Sequence, residues 1–257
     1  MSIRREKVHQ FWNERAQYGI NAGTNDFMLK ELEERVLCQQ IPQGAHVLDI
    51  GCGNGSTLIR LAMENQCTRL GLDYAESLLN LAKEELRNHN LVDRLEFRQG
   101  NVLNLGEETG SFEHIITQRC LINLDNKEQQ KTAFDQIIQR LKPGGFYYMI
   151  EAFNDGNREL NILREKFGLE PMTSPWHNLF FELKDVVRWQ KDFPVELIKL
   201  SHFASTYYYL SRVVYAKLAS DKGEELRYDS DINRLSLELP PLGEFGATKL
   251  IVWKRNR

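Results

Sequence analysis

Val47-Leu48-Asp49-Ile50-Gly51-Cys52-Gly53-Asn54-Gly55-Ser56-Thr57 is an apolar strand that runs into a glycine-rich turn opening a helix. A side chain at Gly51, Gly53 or Gly55 would block either the positive φ of a tight turn or the close approach of a ligand to backbone N–H groups. The stretch therefore reads as a nucleotide-cofactor turn, with the carboxylate of Asp49 two residues upstream. A dinucleotide fingerprint would be G-x-G-x-x-G; here the spacing is G-x-G-x-G and Ser56 stands where the third glycine would be.

Working outward, the chain alternates strand and helix. Apolar periodicity predicts strand 46–50, helix 56–65, strand 69–72, helix 75–88, strand 94–98, strand 113–118, helix 127–141 and strand 146–150. Repeated β-α units imply a parallel sheet with helices on both faces. Two amphipathic helices are expected before this core, at 4–18 and 27–39, with a turn-rich break between them. Beyond Glu151 the rhythm loosens into helix 157–167, helix 183–191, strand 194–200, a Tyr-rich helix 206–220 and a last strand from Thr248 to Trp253. A late antiparallel strand at the edge of a parallel sheet is a permitted variant of this plan. The expected organisation is one domain over 1–257. It has a helical cap at 1–44, a cofactor-binding core at 45–152, a substrate and lid region with strand six at 153–246, and the final strand in 247–257.

Composition narrows the partners. The 33 Lys and Arg against 36 Asp and Glu give a net charge of -3, interspersed without a basic stripe, which argues against a nucleic-acid partner. Cys38, Cys52, Cys67 and Cys120 form no C-x-x-C pair and no His or Cys stands at metal-ligand spacing from them, so no metal is expected and the thiols suit a reducing compartment. No apolar stretch reaches the ~18 residues of a membrane span, and the expected setting is cytoplasmic, without membrane insertion. Oligomeric state is not legible.

Three further positions carry chemistry. Asp73 closes the second strand 22 residues after Gly51, where a carboxylate can accept from both ribose hydroxyls of an adenosine or simply cap the next helix. Gly100-Asn101-Val102 follows the third strand; the Asn101 amide can bond a purine edge, and Leu72, Tyr74 and Val102 can supply apolar faces around the ring, although an ordinary turn reads the same way. Gln118-Arg119-Cys120 follows the fourth strand at the same sheet edge, and the Arg119 guanidinium suits a carboxylate, an anionic acceptor or a surface ion pair.

With Leu141-Lys142-Pro143-Gly144-Gly145, these segments resemble the class I S-adenosylmethionine-dependent methyltransferases over about residues 45–152. The resemblance implies a doubly wound, Rossmann-like α/β fold. Its sheet has seven strands, mostly parallel, with the last antiparallel, and it carries N-terminal helices and a helical lid insertion. The resemblance also implies S-adenosylmethionine as cofactor, with the methionyl end at the first turn, ribose at Asp73 and adenine at Asn101, where the family commonly has Asp. The cofactor set then reads Asp49, Gly51, Cys52, Gly53, Asp73, Tyr74, Asn101, Val102, Gln118 and Arg119. Amino-methyltransferases of bases carry an Asp/Asn-Pro-Pro-aromatic loop after strand four; Gln118-Arg119-Cys120-Leu121 departs from it and disfavours base methylation.

Outside the core, segments such as Trp176-His177-Asn178 and Phe203 to Tyr209 are similar to bacterial methyltransferases, some of them associated with cell-surface polysaccharide assembly. That likeness implies a hydroxyl or phosphate oxygen on a small molecule or glycan as acceptor. An alcohol acceptor must lose its proton as the bond forms, and a positioned base contributes typically ~10²–10⁴-fold. His177 and then Glu151 are the candidate bases, and Tyr207, Tyr208, Tyr209 and Tyr215 candidate pocket walls. The competing readings are a nicotinamide-dependent oxidoreductase, which shares the strand-turn-helix and the acidic residue, and a catalytically silent S-adenosylmethionine-binding module.

Overall fold

A computed structural model describes residues 2–256. The seven strands are β1 His46–Ile50, β2 Thr68–Asp73, β3 Leu95–Gln99, β4 Phe112–Gln118, β5 Leu141–Ala152, β6 Val195–Ser201 and β7 Thr248–Arg255. They form one sheet in the order β3-β2-β1-β4-β5-β7-β6. The pairs among β1 to β5 are parallel, whereas β7 runs antiparallel to both β5 and β6. The strand order reverses between β1 and β4, and a crevice opens there outside the carboxyl ends of the strands, where open α/β sheets bind ligands.

The helices are α1 Ile3–Arg15, α2 Phe27–Gln40, α3 Ser56–Glu64, α4 Glu76–Asn88, α5 Lys127–Arg140, α6 Asn154–Lys166, α7 Leu183–Val187, α8 Ser205–Tyr209, α9 Tyr215–Lys222 and α10 Asp231–Ser236. Apolar side chains alternate along the strands, so each sheet face buries its own cluster. Leu48, Ile115, Tyr147 and Trp253 pack with α5 on one face. Val47, Ile116, Ile150 and Val252 pack with α2, α3 and α4 on the other. Such burial stabilises by about 25 cal/mol per Å² of apolar surface removed from water.

The glycine turn is stitched to the neighbouring strand: the N–H groups of Gly51 and Cys52 both donate to the Leu72 carbonyl, at 2.7 and 3.0 Å. Gly51 has φ +76°, and a Cβ there would lie 2.6 Å from the Cys120 sulfur, so both conformation and space demand glycine.

Two local expectations change. The strand expected over 146–150 starts earlier: β5 runs through Lys142-Pro143-Gly144-Gly145, because Phe112 pairs with Leu141 and His114 with Phe146, and the surplus residues bulge between them. The helix expected over 206–220 is interrupted by a wide π turn at Leu210–Val214 between α8 and α9. The Arg212 carbonyl within that turn accepts from the Arg164 guanidinium. Among the described residues no helix is long and apolar enough to cross a membrane.

Candidate active site

The crevice at the β1/β4 switch point is lined by the two acids expected there. Asp49, in β1, is only 2 % exposed, and its carboxyl has no hydrogen-bond partner among the described residues. Burial, reinforced by the nearby charge of Asp73, pushes it up to about 8, against the pull of Lys30. Asp73 differs in being held: its carboxylate accepts from the N–H groups of Gly53 at 2.7 Å and Ala75 at 2.8 Å. Burial raises its pKa while these backbone donors oppose the shift. Asp73 therefore ties the glycine turn to the start of α4.

Beyond Asp73, Tyr74 lies under the N-terminal helix, its ring 4.4 Å from the His9 ring with the Arg5 guanidinium 5.3 Å from its centroid. The Asn101 side-chain oxygen accepts from Leu103 N–H at 3.0 Å, closing its own turn. Its Nδ2 donates to no described residue, and Asn101 and Val102 both border the crevice.

The loop after β4 is the most heavily braced part of the wall. Gln118 accepts from the Thr57 hydroxyl at 2.7 Å and donates to Glu33. Arg119 adopts φ +52°, donates its N–H to the Ile150 carbonyl at 2.8 Å, and places Nε 3.3 Å from Glu33. Glu33, on α2, is fully buried. Burial raises its pKa, opposed by Arg119, Gln118 and Lys30. From below, Glu151 accepts from the N–H groups of Cys120, Leu121 and Ile122 at 3.1, 2.9 and 3.3 Å. It is fully buried, which pushes it up to about 7 against those donors.

The cover comes from the N-terminus. Helix α1 lays Arg5, Val8, His9 and Trp12 over the crevice. It is latched by Trp12 Nε1 donating to the Asn123 side chain at 3.1 Å, by Arg4 donating to the Leu124 and His177 carbonyls at 2.8 and 2.9 Å, and by Asn13 accepting from Ser77 N–H at 3.1 Å.

The two candidate bases stand elsewhere than expected. His177 does not border the crevice; its ring stacks 4.3 Å from Phe11 behind α1 and packs edge-on to Trp12 and Trp176. Burial, with the charges of Arg4 and Arg15, lowers it to about 4, so the imidazole is neutral. Glu151 lies beneath the loop and does not reach the crevice either. The tyrosines behave alike: Tyr207 bonds Asp26, Tyr208 bonds Thr248, and none of the four borders the crevice. Among the described residues, none from 153–246 does. Sequence reasoning did not find Lys30, His9, Asn123 or Glu33. Residues of α1 and α2 carry no motif, and their distance from the glycine turn along the chain hides their place over it. Among the described residues no group of three or more His, Cys, Asp or Glu is placed to hold a metal ion.

Residues 47–145 match a known methyltransferase domain. This chain carries a class I S-adenosylmethionine-dependent methyltransferase domain. The chain is 31% identical over 135 residues to the demethylmenaquinone methyltransferase of Lactiplantibacillus plantarum, covering 52% of this chain and 54% of that one. An O-methyltransferase of Aspergillus nomiae, rstn1, is 23% identical over 168 residues, 64% of this chain and 72% of that one. The chain spans about half the length of the first curated relatives it matches. In fold it resembles the methyltransferase solved in complex with the Trm112 activator of Haloferax volcanii, with TM-score 0.66, 17% identity and coverage of 96% and 98% of the two chains. It also resembles the magnesium protoporphyrin IX methyltransferase of Synechocystis with bound S-adenosylhomocysteine, with TM-score 0.57, 16% identity and coverage of 93% and 87%.

The methyltransferase crevice fits S-adenosylmethionine, the domain's cofactor. A buried carboxyl without a protein partner at Asp49 complements a cationic group, and a Cβ at Gly53 would meet nothing within 4 Å, so the turn leaves room for a ligand against its backbone.

Proposed function

We propose that this protein transfers the methyl group of S-adenosylmethionine to a small-molecule acceptor. In this reading Asp73 takes the ribose hydroxyls, Asn101 and Val102 take the adenine beside Tyr74, and Asp49, Gly51, Cys52, Gly53, Gln118 and Arg119 hold the methionyl end. The observation that carries it is the unpartnered Asp49 carboxyl in a crevice whose other acid, Asp73, already pins the glycine turn. Bound S-adenosylmethionine supplies a methyl group on a sulfonium, open to in-line displacement. The chain's task is placement, worth up to roughly 7–11 kcal/mol. Helix α1 closes over the donor, Trp12 and Asn123 latch the mouth, and Glu151 fixes the loop from Cys120 to Ile122. Glu151 thus acts as a positioning group. His177, neutral and set behind Phe11, serves as base only through a shift of α1.

For the acceptor we propose a hydroxyl or phosphate oxygen of a small molecule or glycan, in cell-surface polysaccharide assembly. The likeness of the flanking segments to bacterial glycan-associated methyltransferases supports this, as does the relative named an O-methyltransferase. Titration with S-adenosylhomocysteine and with NADH, followed by turnover over hydroxyl and phosphate acceptors, tests both levels. Binding of NADH alone overturns the cofactor assignment, and cofactor binding without any transfer leaves a silent binding module.

A further inference from the structure

We infer that Glu33 is a positioning residue that sets the Arg119 guanidinium for the carboxylate of the cofactor's methionyl group; this rests on the methyl-transfer reading above. Glu33 does not border the crevice, yet both side chains it engages do: its Oε2 lies 3.3 Å from Arg119 Nε and accepts from Gln118 Nε2. A carboxylate with no solvent exposure is costly unless paired; Glu33 Oε1 has no partner among the described residues, and Oε2 is held by the Gln118 amide and the ion pair with Arg119, so the orientations of these three side chains are mutually determined. Arg119 is held in a second way. A bulky residue at φ +52° is strained, and the strain persists where surrounding contacts over-determine it, here the bond to the Ile150 carbonyl and the pairing with Glu33.

The consequence lies in what remains unused. With Nε turned to Glu33, Arg119 Nη1 and Nη2 make no hydrogen bond or ion pair to any described residue. A guanidinium edge with two parallel N–H groups matches a carboxylate in bidentate fashion. The other cation bordering the crevice from α2, Lys30, is instead paired with Glu34 at 3.7 Å. Glu34 in turn accepts from the Ser56 hydroxyl at 3.0 Å. Adjacent glutamates of α2 therefore brace the two loops that meet at the methionyl end: Glu34 the start of α3, and Glu33 the segment after β4.

The test compares two ligands by calorimetry: S-adenosylhomocysteine, which carries the methionyl carboxylate, and 5′-methylthioadenosine, which lacks it. Glu33→Gln keeps the shape and one acceptor oxygen but removes the charge. It is expected to weaken S-adenosylhomocysteine by about tenfold and to leave methylthioadenosine unchanged. Arg119→Gln is expected to do the same, and the double variant to be no weaker than Arg119→Gln alone. Equal weakening of both ligands marks a packing role and overturns the inference. So does an unchanged affinity for the homocysteine ligand, or an additive double variant. Should Glu33→Gln not fold, Arg119→Lys decides: it keeps the charge but cannot bond Glu33 and fork a carboxylate together, so normal affinity there also overturns the inference. A wild-type protein that binds neither ligand refutes the methyl-transfer reading itself, separately from the role of Glu33.

Discussion

Residues 45–152 and residues 153–246 differ in where their polar groups face: among the described residues, only the first region turns them to the crevice. In the first region polar groups around the crevice are left open: the Asp49 carboxyl, the Asn101 amide nitrogen and the terminal nitrogens of Arg119. In the second many already have protein partners, while His177 Nδ1, Ser205 Oγ and Asn233 Oδ1 stay buried without one among the described residues. Tyr207 and Arg212 both bond Asp26, Arg164 donates to the carbonyls of Glu170 and Arg212, and Asn157 and Asn161 both donate to the Met172 carbonyl. Since buried polar groups in folded proteins are almost always satisfied, open ones clustered in a crevice mark where a ligand completes the set. In the second region the hydroxyls of Tyr207, Tyr208 and Tyr215 already have partners.

The contrast can be broken first at its structural end. Arg212→Met leaves Asp26 buried without its cation, which should cost about 3–5 kcal/mol in urea unfolding, while affinity for S-adenosylhomocysteine in the folded protein stays within about twofold. A large loss of affinity would show that the second region shapes the crevice after all. At the site, Asp73→Ala removes a charged acceptor and frees the Gly53 and Ala75 N–H groups, so calorimetry should show about a hundredfold weaker binding of S-adenosylhomocysteine. Unchanged affinity would remove Asp73 from the ribose assignment.

A pH series sharpens the same comparison. The Asp49 carboxyl, pushed up to about 8, is protonated near neutrality. A ligand ammonium favours its ionised form, so binding below pH 8 should release a proton. Affinity should fall by up to about tenfold per unit as pH drops from 8 toward 6. Calorimetry in two buffers of different ionisation enthalpy reads the proton, and Asp49→Asn should abolish the dependence. The smallest effect is expected at His177. Lowered from 6.5 to about 4, it stays neutral in the fold while the unfolded chain takes up a proton, so stability is lost as pH falls through that window. His177→Phe should flatten the acid limb of a Tm-against-pH curve and retain turnover; a collapse of kcat would make it a base.

What could be read before folding was what short stretches dictate. β1, the turn at Gly51 and α3 appear within a residue of their expected places, as do Asp73 at the end of β2 and the antiparallel last strand. Alternation, helical periodicity and positive φ at glycine act over a few residues. The cover was legible only in part. A helical cap at the N-terminus was expected, but nothing local distinguishes Lys30 or His9 from ordinary helix-surface residues, and only packing brings them over the turn. Glu151 illustrates the same limit from the other side. An acid ending a strand at the catalytic edge invites a chemical role, and only the three N–H groups of the loop above it show what that carboxylate is occupied with.

By itself the sequence determined the strand order's raw material and the cofactor turn, because strand alternation and the backbone conformations open to glycine are local properties. Tertiary structure alone decided which polar side chains stay unpaired. Glu33 meets Arg119, and Asp26 meets Tyr207, across long spans of chain, so whether a group is satisfied or left for a ligand depends on neighbours that sequence proximity does not name.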